Sequence, residues 1–338
     1  MTNQGQLLFS ENIYADFQEY CKRNNYQHII FLCDENTSKY CVRFFDAVNL
    51  ITIPAGEQYK NSNSYAYIVE QLLKFKTGKQ SLMVNLGGGV VTDIGGYAAS
   101  TFMRGIPFVN IPTTLVGMAD AAIGGKTGID FNSYKNYLGT FAQPQKIFIS
   151  TVFLKTLPEL EMVCGYAEII KTGVIANAEL FQLVANNADI DQLIQLTATT
   201  KLNIIEKDFY DKGERQLLNF GHTLGHAFES FRLSAGNPIL HGLAVAKGML
   251  AELRIAQALQ LIDAVTVQII TEVIVNKTAQ QEFSIIEFEE LKPFLFADKK
   301  NENGTILLSL PTGIGSGRIK VPADLALIQH SLFNAQNS

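Results

Sequence analysis

The chain has 338 residues, 47% of them hydrophobic and 17% charged, a length that suggests two domains and enough apolar surface for a large core. Its net charge of −5 argues against a general nucleic-acid or membrane surface, so any anion site must be a local cluster of Lys and Arg. No run of about 18 apolar residues marks a membrane span, Met1 to Ser10 lacks the pattern of a secretory leader, and the four cysteines are scattered without zinc-type pairing, so a reduced cytoplasmic setting is expected.

Taken in chain order, short apolar runs at 28–33, 50–53, 82–86, 108–111 and 146–149 read as strands, with helical pattern between several of them, as at 62–76. Such alternation predicts an α/β, Rossmann-like domain with a mostly parallel sheet. Past Leu157-Pro158 the character changes. Long stretches at 179–208, 215–231 and 243–261 carry helical spacing, and 306–310 is a short strand candidate. The expected division is an α/β domain over 1–157 and a mainly α-helical domain over 158–338.

After the strand at 82–86 comes Gly87-Gly88-Gly89-Val90-Val91-Thr92-Asp93-Ile94-Gly95-Gly96. A strand running into glycines and a helix start suits phosphate, because backbone N–H groups point at the ligand. The spacing is not the G-x-G-x-x-G fingerprint, and a tight turn with packing glycines explains it equally well. Pro112-Thr113-Thr114 ends the next strand in the same way, and two such ends favour a nucleotide more than either alone.

Three of the five histidines fall at 222, 226 and 241. His222 and His226 stand at i and i+4, on one face of a helix. Zinc accepts imidazole and carboxylate, and Glu168 in Gly165-Tyr166-Ala167-Glu168-Ile169-Ile170-Lys171 is a further candidate. Spacing alone puts both His222 and His226 on a metal and does not separate a ligand from a proton-transfer group. Cations in glycine-rich or turn-like settings include Arg104, Lys126 in Gly124-Gly125-Lys126-Thr127-Gly128, Lys135-Asn136, Lys171, Lys201, Arg215 and Lys299-Lys300. They suit an anionic substrate. The Lys126 segment is not a P-loop, since Ala121 stands where the first glycine belongs.

Together these motifs, in this order and over nearly the whole chain, resemble the 3-dehydroquinate synthases, members of the sugar phosphate cyclase superfamily. The resemblance implies Zn2+ (with Co2+ as a substitute) on Glu168, His222 and His241, and an acid–base or phosphate-contacting role for His226. It implies NAD at Asp34, Asn36, Glu57, Lys60, Gly88, Gly89, Val90, Asp93, Thr113, Thr114, Phe153, Leu154, Lys155 and Thr156. Its substrate positions match Arg104, Asp120, Lys126, Lys135, Asn136, Lys171, Lys201, Arg215, Asn219 and one of Lys299 or Lys300, with Lys126 and Lys135 shared with the cofactor. Asp211 falls where the family has a glutamate proposed as a proton acceptor, and Leu243 where many members carry a carboxylate after His-Gly. The implied reaction converts 3-deoxy-D-arabino-heptulosonate 7-phosphate to 3-dehydroquinate and phosphate in a homodimer. The rivals are a cyclase of the inosose or valiolone type, a glycerol-type polyol dehydrogenase and a non-enzymatic paralogue.

Overall fold

The computed structural model describes residues 6–132, 134–295 and 305–333. The chain forms two compact units, Met1–Pro158 and Glu159–Ser338. The first contains β1 (Leu7–Phe9), α1 (Ile13–Arg23), β2 (Ile29–Asp34), α2 (Glu35–Tyr40), β3 (Asn49–Ile53), α3 (Ser62–Lys74), β4 (Leu82–Gly87), α4 (Gly89–Thr101), β5 (Phe108–Pro112), a hairpin of β6 (Lys126–Phe131) and β7 (Tyr134–Phe141), and β8 (Ile147–Ile149).

Six strands form one sheet in the order β3-β2-β4-β5-β8-β1, and every neighbouring pair is parallel. β4 and β5 are buried at every residue, as strands covered on both faces must be, and so read as continuous apolar runs. The helices show the complementary pattern. Ile13, Phe17 and Cys21 of α1 and Ser64, Ile68 and Leu72 of α3 recur every four residues and face inward. Asn61 opens α3 by accepting the N–H of Ser64 at 3.1 Å. Each fully buried aliphatic side chain, such as Ile30, Leu32, Ile51 or Met83, contributes roughly 1.5–3 kcal/mol.

The five strands from β2 to β5 together with β8 follow the doubly wound order 2-1-3-4-5, with β1 added at the edge. The winding reverses between β2 and β4, whose carboxyl ends are Asp34 and Gly87. The strands expected from the apolar runs are all present within about two residues, the usual scatter of element ends. The β6–β7 hairpin and β1 were not expected. The hairpin carries Lys, Asp and two close Gly–backbone approaches where an apolar alternation would be sought. A Cβ on Gly128 would lie 2.7 Å from the Leu138 carbonyl oxygen, and one on Gly139 2.5 Å from that of Thr127.

The second unit is mainly helical, with α5 (Glu159–Ala176), α6 (Ala178–Ala185), α7 (Ile190–Lys207), α8 (His222–Ser234), α9 (His241–Ala258), α10 (Ala264–Thr278), α11 (Ile285–Leu295), an antiparallel hairpin of β9 (Ile306–Gly313) and β10 (Ser316–Ala323), and α12 (Leu325–Phe333). α9 is buried on nearly every side, which makes it the central helix. The run expected as one helix over 179–208 is two, because Asn187 takes a left-handed backbone (φ 55°) and Asp189 caps the next start. The run at 215–231 likewise breaks. Glu214–Asn219 is a 3-10 turn, and Gly221 (φ 77°) redirects the chain into α8. No helix among the described residues is long and apolar enough to cross a membrane.

Candidate active site

In the second unit, three helices bring five of the expected residues together. α5 places Glu168 and Lys171 one turn apart, each 1% exposed and joined in an ion pair. α8 begins with His222 and carries His226 a turn later, and α9 begins with His241. The three imidazoles stand with ring centroids 5.1–5.4 Å apart. One ring nitrogen from each lies within 4.8 Å of the others. Glu168 Oε1 is 3.5 Å from His241 Nε2 and 3.9 Å from His222 Nε2.

The outer ring nitrogens explain this orientation. His222 Nδ1 faces the Phe220 carbonyl at 3.1 Å and His241 Nδ1 faces Glu229 Oε2 at 3.4 Å. With Nδ1–H donating in both, Nε2 of each ring turns toward Glu168. Burial pushes His222 down to about 3, aided by the Lys171 ammonium, so its ring is neutral. Burial also works against charge on His241, but Glu168 and Glu229 outweigh it and hold the ring up at about 9. Burial raises Glu168 too, yet Lys171 and the two imidazoles keep its carboxyl well below the usual range. A buried carboxylate and three imidazoles are a donor set that suits zinc or cobalt, so these residues fit a divalent metal.

The helix packing that makes this possible depends on glycine. A Cβ on Gly248 of α9 would sit 2.0 Å from the Gly221 carbonyl oxygen, and one on Gly242 would sit 2.4 Å from the Cα of Cys164 on α5. Cys164 itself is a buried thiol, pushed up to about 12 by that burial, as a packing side chain. Two carboxylates that sequence reasoning missed serve the same region. Glu229 faces His241, and Glu252, fully buried on α9, accepts the backbone N–H groups of Gly221 at 2.6 Å and Leu224 at 3.3 Å. Glu229 follows His226 by three residues and was open to discovery on that ground; Glu252 had no local signal.

Lys201 on α7 and Arg215 in the 3-10 turn are buried cations. Arg215 donates from Nη1 to the Phe209 carbonyl at 2.6 Å, while Asp208 accepts N–H groups of Lys212, Gly213 and Arg215 and so organises the loop before Asn219. Asp211 in this loop has a left-handed backbone (φ 59°). Leu243 is half-buried in the first turn of α9. Lys299 and Lys300 lie outside the described residues.

In the first unit, Lys60 is buried among three carboxylates, Glu57 at 2.9 Å, Asp93 at 3.5 Å and Asp130 at 3.9 Å. Burial opposes its charge, and the carboxylates more than restore it, so its pKa is raised. Lys135 stands 3.7 Å from Glu57, and Asp130 accepts the N–H of Asn136 at 2.7 Å. Glu57, Lys60, Asp93 and Lys135 are thus one cluster, with Asp130 a member that the sequence did not suggest. Lys126 opens β6 after Gly124 and Gly125, both at positive φ, and is exposed. Arg104 and Asn136 hold left-handed backbones (φ 64° and 51°), a strained conformation that concentrates at functional positions. Asp120 lies in the π-helical turn Gly117–Ala121, another form enriched at such sites.

The glycine turn divides between its two explanations. A Cβ on Gly88 would meet Thr114 at 2.9 Å and one on Gly89 would meet Ala121 at 3.2 Å, so packing crowds a side chain at Gly88 and leaves little room for one at Gly89. Yet no side chain among the described residues caps the start of α4 at Gly88-Gly89-Val90, which leaves its N–H groups for an anion. This start lies at the winding reversal, where ligands of doubly wound sheets bind. Thr113 donates its N–H to the Gly87 carbonyl, and Thr114 accepts that of Gly117. Asp34 Oδ1 caps α2 through the Thr37 N–H at 2.7 Å, and Asn36 is exposed on that helix. In the turn Thr151–Thr156, Phe153 is a core side chain set edge-on to Phe44, while Leu154 is half-buried and Lys155 and Thr156 are exposed.

The fold that carries these groups is that of the sugar phosphate cyclases. The chain superimposes on a 2-deoxy-scyllo-inosose synthase solved with carbaglucose-6-phosphate, NAD+ and Co2+ with a TM-score of 0.85 at 22% identity, covering 97% of this chain and 96% of that one. It superimposes on the 2-epi-5-epi-valiolone synthase of Streptomyces hygroscopicus, solved with NAD+ and Zn2+, with a TM-score of 0.84 at 25% identity, covering 98% and 97%. Within that class the sequence is more specific. Residues 50–164 match the family model for the 3-dehydroquinate synthase N-terminal region and 165–301 that for its C-terminal region. The 3-dehydroquinate synthase of Parabacteroides distasonis is 35% identical over 343 residues, 98% of this chain and 97% of the relative. The chain belongs to the 3-dehydroquinate synthase family.

Proposed function

We propose that the protein converts 3-deoxy-D-arabino-heptulosonate 7-phosphate to 3-dehydroquinate and phosphate, with Glu168, His222 and His241 holding a divalent metal and the first unit holding NAD. The observation that carries this reading is the convergence of both Nε2 atoms on the buried Glu168 carboxylate, 3.5 and 3.9 Å away, in a member of this family. When bound, the metal supplies Lewis acidity at a substrate hydroxyl, and NAD supplies a hydride acceptor that is regenerated within the same cycle.

The chain's own residues then supply binding and proton transfer. Lys126, Asn136, His226 and Arg104 bind the phosphate, and Lys201, Arg215 and Asn219 orient the carboxylate and hydroxyls, with Lys135, Asp120 and one of Lys299 or Lys300 as further contacts. Lys171 holds Glu168 ionised. His226, exposed beside the two ligand imidazoles, moves a proton at a ring nitrogen, and Asp211 is a second carboxylate for that task. Around NAD, the start of α4 at Gly88, Gly89 and Val90 binds the pyrophosphate, flanked by Thr113 and Thr114. Asp34, Asn36, the Glu57–Lys60–Asp93 cluster and the backbone of Phe153 to Thr156 complete that site. Positioning of several steps in one place matters more here than any one strong base. We extend the reading to a cytoplasmic homodimer, as family membership implies.

The test is a comparison of substrates. The purified protein with NAD+ and Co2+ is offered the heptulosonate phosphate, glucose 6-phosphate or sedoheptulose 7-phosphate, and products are identified by NMR. Dehydroquinate from the first alone is the expected result. A carbocycle from either of the others, with none from the first, moves the chain to another cyclase activity.

A further inference from the structure

His241 stands between two carboxylates. Its Nε2 lies 3.5 Å from Glu168 Oε1, and its Nδ1 lies 3.4 Å from Glu229 Oε2. Glu229 is a buried side chain of α8, the helix that also carries His222 and His226. Its carboxylate therefore reaches the ring from a different helix than the one His241 opens. A ring with a 37% exposed side chain has room to turn, and at its outer nitrogen the carboxylate supplies what holds it.

We infer that Glu229 is the positioning residue for His241. Its Oε2 accepts the Nδ1–H of the neutral ring, which fixes that tautomer and aims the Nε2 lone pair at the Glu168 side. Outer carboxylates of this kind raise the basicity of an imidazole ligand and restrict its rotation, and their loss typically weakens metal binding about 10–100-fold. The inference rests on the reading of Glu168, His222 and His241 as metal ligands.

The experiment titrates metal-free protein with Co2+ against a competing chelator and follows the visible bands of the bound ion. Wild type, His222→Ala, Glu229→Ala and Glu229→Gln are compared, with the thermal midpoint of each metal-free form. Glu229→Ala should bind Co2+ about 10–100-fold more weakly with altered bands. Glu229→Gln, whose amide oxygen still accepts Nδ1–H but carries no charge, should fall between it and wild type, an order that a merely structural role would not produce. Binding by Glu229→Ala within about twofold of wild type would overturn the role of Glu229 and leave the ligand set standing. Should Glu229→Ala fail to fold, Glu229→Gln decides alone, and wild-type affinity in it overturns the inference. Failure of wild type to bind, or undiminished binding by His222→Ala, overturns the ligand set and this inference with it.

Discussion

Glu252 accepts the backbone N–H of Gly221 at 2.6 Å, one residue before His222. It accepts that of Leu224 as well, so a buried carboxyl on the helix that opens with His241 fastens the first turn of the helix that opens with His222. Helix starts leave four N–H groups without intrahelical partners, and here two of them depend on this side chain. Glu252→Ala would strand them in the core and leave a cavity, with an expected loss of about 2–4 kcal/mol. Urea denaturation of the metal-free protein measures it; an unchanged midpoint would contradict the assignment.

Gly248 permits the same helix crossing by having no side chain. The added Cβ of Gly248→Ala would meet backbone atoms, Gly221 O at 2.0 Å and Gly225 N at 2.7 Å, which cannot rotate away. Separating the helices should cost about 3 kcal/mol or more and weaken metal binding, because His222 and His241 would move apart. Gly78→Ala serves as the control, since its Cβ would meet nothing within 4 Å, and it should stay within about 0.5 kcal/mol of wild type. Equal midpoints for the two variants would refute the packing argument.

Lys171→Met tests the buried ion pair. Burial alone drives Glu168 toward protonation, and Lys171 is the largest influence that reverses this. Breaking a buried pair by removing one partner typically costs about 3–5 kcal/mol. A carboxyl held below its unfolded pKa contributes stability that is complete above the unfolded value, near about 4.3, and is lost as pH falls through the folded value. The gap between wild type and Lys171→Met should therefore be full at neutral pH and narrow in acid. Chemical denaturation at a series of pH values checks it, and a gap independent of pH would count against the pair.

His241 predicts a proton on metal uptake. In the metal-free protein its ring is held protonated up to about 9 by Glu168 and Glu229, whereas a ligand imidazole must be neutral. Binding at pH 7 should release about one proton, and affinity should rise with pH until about 9. Calorimetry of Co2+ binding in buffers of different ionisation enthalpy counts the protons. Uptake with no release would place the metal elsewhere.

How much of this was legible depends on the distance over which each feature is encoded. The core strands of the first unit are continuous apolar runs, and the i, i+4 pair of His222 and His226 is written in one helix. The β6–β7 hairpin was not legible, because Lys126, Asp130 and Gly128 break any apolar alternation, and Asn132 before β7 and Asn136 within it take positive φ. Glu168 was found as a candidate, but its burial beside Lys171 comes from the packing of α5 against α9, which spacing does not reveal. Glu252 reaches Gly221 across 31 residues and Asp130 meets Lys60 from a different element of the first unit, and neither belongs to a recognisable motif. The glycine turn misleads in the other direction, since its glycines are needed for packing as well as for any ligand.

The most direct measurement supplies the heptulosonate phosphate with Co2+ and a trace of NAD+, and follows phosphate release and NADH absorbance together. Phosphate should exceed the NAD+ supplied many times over while no NADH accumulates, because the hydride returns to the substrate in each cycle. Steady NADH accumulation with a polyol, and no phosphate released from the heptulosonate, would contradict a cyclase and point to a dehydrogenase.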